Sequence, residues 1–192
     1  MTVNESSGRI IVVKRVSVVG NSGSGKTTFA RQLAEILGAP YVELDELNHQ
    51  PNWQPMEQSR MLSELETITR ADKWVIDGNY RSYVMDGPVW QRADTVIWLD
   101  LPRAIVMRQI IARTIKRGVL RQELWNGNRE SLANLFRWDP HKSVVRWAWS
   151  QHGVYAQRYE SAIKSDLNGH LDFVRLCSRG EAAQWLSQMP SS

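Results

Sequence analysis

Cysteine is almost missing from this 192-residue chain; Cys177 is its only example. One thiol cannot build an internal disulfide framework, so a reducing cytoplasmic setting is the expectation. Cys177 lies in an apolar stretch and reads as a small buried hydrophobe. Long hydrophobic runs are missing too. None approaches the roughly 18 residues that a membrane helix needs, and residues 1–9 lack the apolar core of a signal peptide. No acidic residue falls between positions 101 and 122. That gap makes the charge uneven. Residues 103–160 hold eleven Lys/Arg against four Asp/Glu, a balance of +7, while the rest of the chain stands at −3 and the whole at +4. A basic segment in an otherwise slightly acidic protein points to an anion site rather than to general nucleic-acid affinity. Internal repeats and low-complexity tracts are also lacking, and the length fits one domain over residues 1–192. A chain of this size buries about 70% of its unfolded surface and needs no staple. Residues 1–9 and 189–192 are expected to be disordered tails.

Against these absences stands one dense motif. Gly20, Asn21, Ser22, Gly23, Ser24, Gly25, Lys26 and Thr27 match G-x-x-x-x-G-K-[ST] in full. An apolar run, Arg15–Gly20, precedes it. A helical pattern from Lys26 through Thr28 to Leu37 follows, with Phe29, Leu33, Ile36 and Leu37 on one face. Strand, glycine-rich loop and helix are the context the motif requires. The glycines let backbone N–H groups wrap a phosphate chain at the positive end of a helix. Lys26 is placed to reach the β- and γ-phosphates, and Thr27 to hold Mg²⁺. ATP and Mg²⁺ are therefore the expected cofactors, with Gly20 through Thr28 as the binding segment.

Further strands are expected at Tyr41–Leu44, Trp74–Gly78, Thr95–Asp100 and Phe173–Leu176. Helices are expected near Ser59–Arg70, Arg103–Arg117, Lys142–Lys164 and Glu181–Ser187. The alternation argues for an α/β fold, a mostly parallel sheet covered on both faces. Sites in such sheets sit at the carboxyl ends of strands. Asp45, after the second strand, can orient or deprotonate an acceptor hydroxyl. Asp77, ending the third, is placed as the second Mg²⁺ anchor, and Arg81 beyond it can fork onto an anion. Arg113, Arg117 and Arg121 are spaced by four and share a face if the helix reaches that far. Such like charges weaken a helix, and a bound polyphosphate would offset that. Arg129 is a further candidate. Residues 118–136 read as an inserted lid. Arg179, after the last strand, would lie beside the phosphate loop near an adenine ring. Trp53 is read either as a stacking platform or as a loop closure.

Together these residues resemble the nucleoside-kinase-like branch of phosphate-loop enzymes, which includes adenylate and shikimate kinases. The resemblance covers most of residues 12–187. It implies a three-layer α/β/α P-loop NTPase fold, a five-stranded parallel sheet in the order 2-3-1-4-5, and an arginine-rich helical lid. Asp77-Gly78-x-x-Arg81 has the spacing of the adenylate kinase Asp-Gly-Phe-Pro-Arg signature, whose arginine grips the acceptor phosphate. Asp45 sits where shikimate kinases carry an acceptor-binding aspartate. Leu44-Asp45, Trp74–Tyr80 and Ala93–Arg103 are similar to bacterial proteins named adenylate kinase or topology modulation protein. The chain departs from adenylate kinases in carrying Asn79-Tyr80 for Phe-Pro and in lacking zinc cysteines in the lid. The resemblance implies an ATP–Mg²⁺-dependent kinase of a small acceptor such as a nucleoside monophosphate. The rival readings are a nucleotide-gated nucleic-acid-binding regulator and a slow ATPase switch.

Overall fold

The computed structural model describes residues 2–3, 10–11, 13–119, 124–128 and 144–190. Five parallel strands form its centre. They are β1 (Arg15–Gly20), β2 (Tyr41–Glu43), β3 (Trp74–Asp77), β4 (Thr95–Leu99) and β5 (Asp172–Leu176), in the order β2-β3-β1-β4-β5. Among the described residues the α-helices that flank them are α1 (Lys26–Leu37), α2 (Leu44–Asn48), α3 (Gln58–Ile68), α4 (Arg81–Val84), α5 (Pro88–Arg92), α6 (Arg103–Val119), α7 (Val144–Ile163) and α8 (Arg179–Ser187). The expected strand order is thus the one observed. Thr2–Val3 pairs antiparallel with Ile10–Ile11, so the amino-terminal stretch includes a short ladder where a disordered tail was expected.

Alternating side chains send each strand into two cores. Val16 and Val18 of β1 pack with Phe29 and Leu33 of α1, with Val75 and Ile97 beside them. Val19 packs on the opposite face with Trp74, Ile76, Trp90, Val96 and Trp98. Both faces of the sheet are therefore covered, which gives three layers. The tryptophans divide between core and surface. Trp74, Trp90 and Trp98 are buried, and their indoles supply much of the second core. Trp90 Nε1 donates to Ser17 Oγ at 3.1 Å, which satisfies the N–H that burial would otherwise strand.

Two residues near the end of the chain lie otherwise than their sequence surroundings suggest. Met189 is 6% exposed and packs in the first core, because α8 folds back over β5 and carries its end inward. Cys177 is exposed rather than buried, because β5 ends at Leu176 and the thiol residue opens the turn into α8. Among the described residues no helix is long and apolar enough to cross a membrane.

Candidate active site

The carboxyl ends of β1, β2 and β3 meet the amino end of α1. The register sets Asp77 of β3 beside Val18 of β1 on one side and Glu43 of β2 on the other. Two carboxylates thus face each other across adjacent strands, which costs stability unless something else needs them there.

The phosphate loop is fastened from several directions. Gly20 N–H donates to Asn79 Oδ1 at 3.1 Å, and Asn79 Nδ2 donates back to the Gly20 carbonyl at 2.7 Å. Tyr159 of α7 donates to the same Oδ1 at 3.0 Å. Asn21, itself buried, donates to the Ala148 carbonyl at 2.7 Å and accepts from the Ser22 N–H. Gly23 lies against α6. A Cβ there would stand 3.0 Å from Ile110 Cβ and 3.1 Å from the Val106 carbonyl, and its φ of 84° is a left-handed value. Ser24 Oγ is buried and without a hydrogen-bond partner among the described residues. An orphaned hydroxyl in a phosphate-loop wall is the kind of group a phosphate oxygen satisfies.

A cleft of about 1750 Å³ opens over this loop. Lys26 lies at its floor, with Nζ 3.1 Å from the Asn21 carbonyl. Burial lowers the Lys26 pKa from its ordinary value, while the charges of Asp77 and Asp45 act against that shift. Asp77 is 3% exposed. Burial raises its pKa, and the Lys26 charge and a hydrogen bond from Thr27 work the other way. Thr27 hydroxyl and Asp77 carboxylate are therefore adjacent, with the oxygen donors that Mg²⁺ prefers. Among the described residues no group of three acidic, His or Cys side chains forms a ready metal cage.

Asp45 lies one residue into α2 rather than at a strand end, and lines the cleft. Its Oδ1 accepts the Tyr80 hydroxyl at 2.8 Å. Burial, and then the Asp45 carboxylate, keep that phenol protonated by raising its pKa. On the other side of the loop, α6 turns Arg108, Arg113 and Arg117 into the cleft. Arg113 Nη2 donates to Ser22 Oγ at 3.3 Å. Arg179 lines the cleft at the start of α8, and Thr28 lines it beside Thr27. Arg121 and Arg129 lie outside the described residues, as does most of the expected lid over 118–136; α6 itself continues to Val119.

Arg81 stands apart from these residues. It opens α4, is 65% exposed, and pairs its Nε with Asp86 Oδ2 at 3.0 Å. It is not among the residues lining the cleft. The Asp-Gly-x-x-Arg spacing fixes its distance from Asp77, but α4 begins at this residue and turns it outward.

Sequence reasoning missed an acidic network on the cleft's other wall. Glu43, buried, accepts from Arg31 Nη2 at 3.2 Å. The Tyr41 hydroxyl stands 3.0 Å from Asp77 Oδ2 and 3.2 Å from Glu43 Oε2, and its single proton serves one of them at a time. Burial, then the charges of Asp77 and Asp45, raise the Glu43 pKa. The signal available was Tyr41-x-Glu43-x-Asp45, an alternation that puts Tyr41 and Glu43 on one face of β2. Trp53, read both ways from sequence, lines the cleft together with His49 and Trp125.

The fold resembles those of two solved shikimate kinases. For the enzyme of Acinetobacter baumannii, solved with shikimate, the TM-score is 0.52 and the identity 16%, covering 93% of this chain and 91% of that one. For the enzyme of Bacteroides thetaiotaomicron the TM-score is 0.54 and the identity 12%, covering 92% and 96%. At such identities the likeness speaks for the fold alone. A probable gluconokinase of Schizosaccharomyces pombe is 43% identical over 47 residues, 24% of this chain and 24% of that protein. The match therefore spans about a quarter of the curated relative's length. No protein-family model matches the chain.

Proposed function

We propose that the protein is an ATP- and Mg²⁺-dependent kinase that moves the γ-phosphate to a hydroxyl of a small acceptor. One observation carries the reading. The phosphate loop with Lys26, the Thr27–Asp77 pair and the α6 arginines converge on one cleft with Asp45. At about 1750 Å³ that cleft exceeds the roughly 300–1,000 Å³ of a single small-ligand site, so it has room for a nucleotide and an acceptor together. The chain's likeness in fold to shikimate kinases supports the same reading.

In this mechanism the loop backbone and the Ser24 hydroxyl cradle the phosphates at the head of α1. Thr27 and Asp77 would hold Mg²⁺, which when bound would supply positive charge against the phosphate chain. Lys26 follows the charge onto the leaving oxygens. Arg113, steadied by Ser22, and Arg117 stabilise the equatorial oxygens of the transferring group. Asp45, held by Tyr80, orients the acceptor hydroxyl. It takes the proton that hydroxyl loses as its oxygen bonds to the γ-phosphorus and the bond to the β-phosphate oxygen breaks. Arg179, near the start of α8, would border the adenine side. A cytoplasmic location suits an ATP-consuming enzyme with an exposed thiol.

The nucleic-acid reading drew on the same arginines. Arg108, Arg113 and Arg117 line the cleft, so their charge favours a small anion inside it. The test is ADP release from ATP–Mg²⁺ with a panel of hydroxylated acceptors, with identification of the phosphorylated product. Lys26→Ala should lower acceptor-dependent turnover by about 10³-fold, the range seen when one key charge-stabilising donor is lost. Normal turnover in that variant would sink the assignment.

A further inference from the structure

The cleft wall beyond Asp45 carries an aromatic corner. His49 and Trp125 are stacked, with ring centroids 5.6 Å apart and planes 23° apart. Trp53 meets Trp125 edge-on at 90° and 6.5 Å, and His49 at 72° and 5.3 Å. The corner joins two segments that are distant in sequence. Asn126 Nδ2 donates to the His49 carbonyl at 2.7 Å, Asn128 Nδ2 to the Gln50 carbonyl at 3.0 Å, and Trp53 N–H to Asn128 Oδ1 at 2.9 Å.

The backbone here is strained. Among the described residues the non-glycine positions with positive φ are Asn52 at 61°, Trp53 at 58° and Asn126 at 55°. A bulky residue such as tryptophan is a true outlier there. Such conformations persist only when their surroundings over-determine them, and they gather at ligand-contacting segments. Three side-chain hydrogen bonds over-determine this one, and their effect is to set two indoles at right angles facing the cleft. Trp53 remains 41% exposed despite that investment of contacts.

Among the described residues this wall carries three carboxylates and one arginine. Glu43, Asp45 and Glu46 all line it. Arg31, on the same side, is paired with Glu43 and lies over the Tyr41 ring at 5.3 Å. Arg81 points away into its pair with Asp86. An acceptor bearing its own phosphate or carboxylate would meet like charge here, whereas a neutral polyol would find acceptors for its hydroxyl protons.

Resting on the kinase reading, we propose that the acceptor is a neutral, hydroxyl-bearing ring compound without phosphate or carboxylate groups. One ring face lies on the His49–Trp53–Trp125 corner and its hydroxyls point toward Asp45 and Glu46. Nucleosides and cyclitols or glycosides share this chemistry, and the test separates them.

The experiment pairs calorimetric binding with phosphoryl-transfer assays on the full chain. The neutral probes are adenosine, uridine, myo-inositol and methyl β-glucoside. The anionic probes are adenosine 5′-monophosphate, shikimate and gluconate. A neutral probe should bind and be phosphorylated at least tenfold more efficiently than any anionic one. Nucleosides winning would assign a planar base to the corner; the others winning would assign a saturated ring. Trp53→Ala and Trp125→Ala should each raise the acceptor KM about tenfold, leaving kcat and the ATP KM near wild type, as expected for a lost stacking platform. Glu46→Arg, at an exposed position, should shift the neutral-to-anionic preference at least tenfold toward the anionic probes even if a tryptophan variant fails to fold. Preference for an anionic probe would overturn the proposal and leave the kinase reading standing. Binding of a neutral probe without transfer to any compound would uphold the acceptor class and defeat the kinase reading. Failure of every neutral probe both to bind and to react would overturn the proposal.

Discussion

On one side of Lys26 the cleft wall is a seventeen-residue helix seated on its own apolar face; on the other it is a five-residue helix and two short turns tied together by side chains. Val106, Ile110 and Thr114 of α6 are buried, which leaves Arg113 and Arg117 to line the cleft. The opposite wall has little core of its own. Leu44 anchors α2 against Gly78, where a Cβ would come within 2.7 Å of Leu44 Cβ, Leu47 and Met56 reach the same core, and Tyr80, Asn126 and Asn128 tie the turns. The difference separates two tasks. A phosphate chain is the same in every cycle and suits a rigid, positively charged wall. An acceptor is particular, and a wall built from loops can be reshaped without disturbing the sheet.

If that division is right, damage to the two walls should appear in different kinetic constants. Arg113→Ala should lower kcat by about 10²-fold or more, while the acceptor KM changes little, because the arginine acts mainly on charge present in the transition state. Tyr80→Phe removes the donor that fixes Asp45 and should instead raise the acceptor KM, by roughly tenfold for one hydrogen bond to a charged group. Initial rates with ATP and acceptor varied independently would decide it. A Tyr80→Phe variant that affected only kcat, or an Arg113→Ala variant that affected only the acceptor KM, would break the comparison.

The seating of the basic wall can be tested apart from chemistry. Gly23→Ala would drive a methyl into Ile110 and the Val106 carbonyl at a left-handed backbone position. Part of the cost is steric and part conformational, for a loss of about 2 kcal/mol of stability. Urea unfolding should show a lower midpoint with an unchanged slope. An unchanged midpoint would mean that α6 is free to lift from the loop, and the rigid-wall account would fail.

The two walls were not equally legible from sequence. All five strands of the central sheet and the five longest helices follow from apolar periodicity, and the phosphate loop announces itself by spacing. Arg113 and Arg117 are legible as well, because both lie on one helix and share its face. The acidic wall is assembled across strands. Glu43 faces Asp77 only once β2 and β3 pair, and Trp53 finds Trp125 only once the chain has folded back on itself. The helices α2, α4 and α5 are four or five residues long, too short to show a period. Arg81 shows the limit of reading by spacing. Its distance from Asp77 matches a known signature, yet the direction of its side chain is set by where α4 starts.

The subtlest expected effect concerns what the acidic wall costs when nothing is bound. Glu43 and Asp77 are paired across neighbouring strands and both have raised pKa values, chiefly through burial. A carboxyl raised in the folded state binds its proton more tightly there than in the unfolded chain. Stability is therefore greatest below the ordinary carboxylate range and falls as pH rises through the raised values, after which it levels off. Glu43→Gln keeps the shape, removes one charge, and leaves an amide that can still accept from Arg31 or Tyr41. In the ligand-free protein near neutral pH the variant should be more stable than wild type, by about 1 kcal/mol. The advantage should shrink toward zero as the pH is lowered and the wild-type carboxyl regains its proton. Thermal unfolding from pH 4 to 8 would read this directly. If the variant were less stable throughout, the Arg31–Glu43 pair would outweigh the burial and repulsion of the carboxylate. The acidic wall would then be a source of stability, with no part of it maintained at the fold's expense.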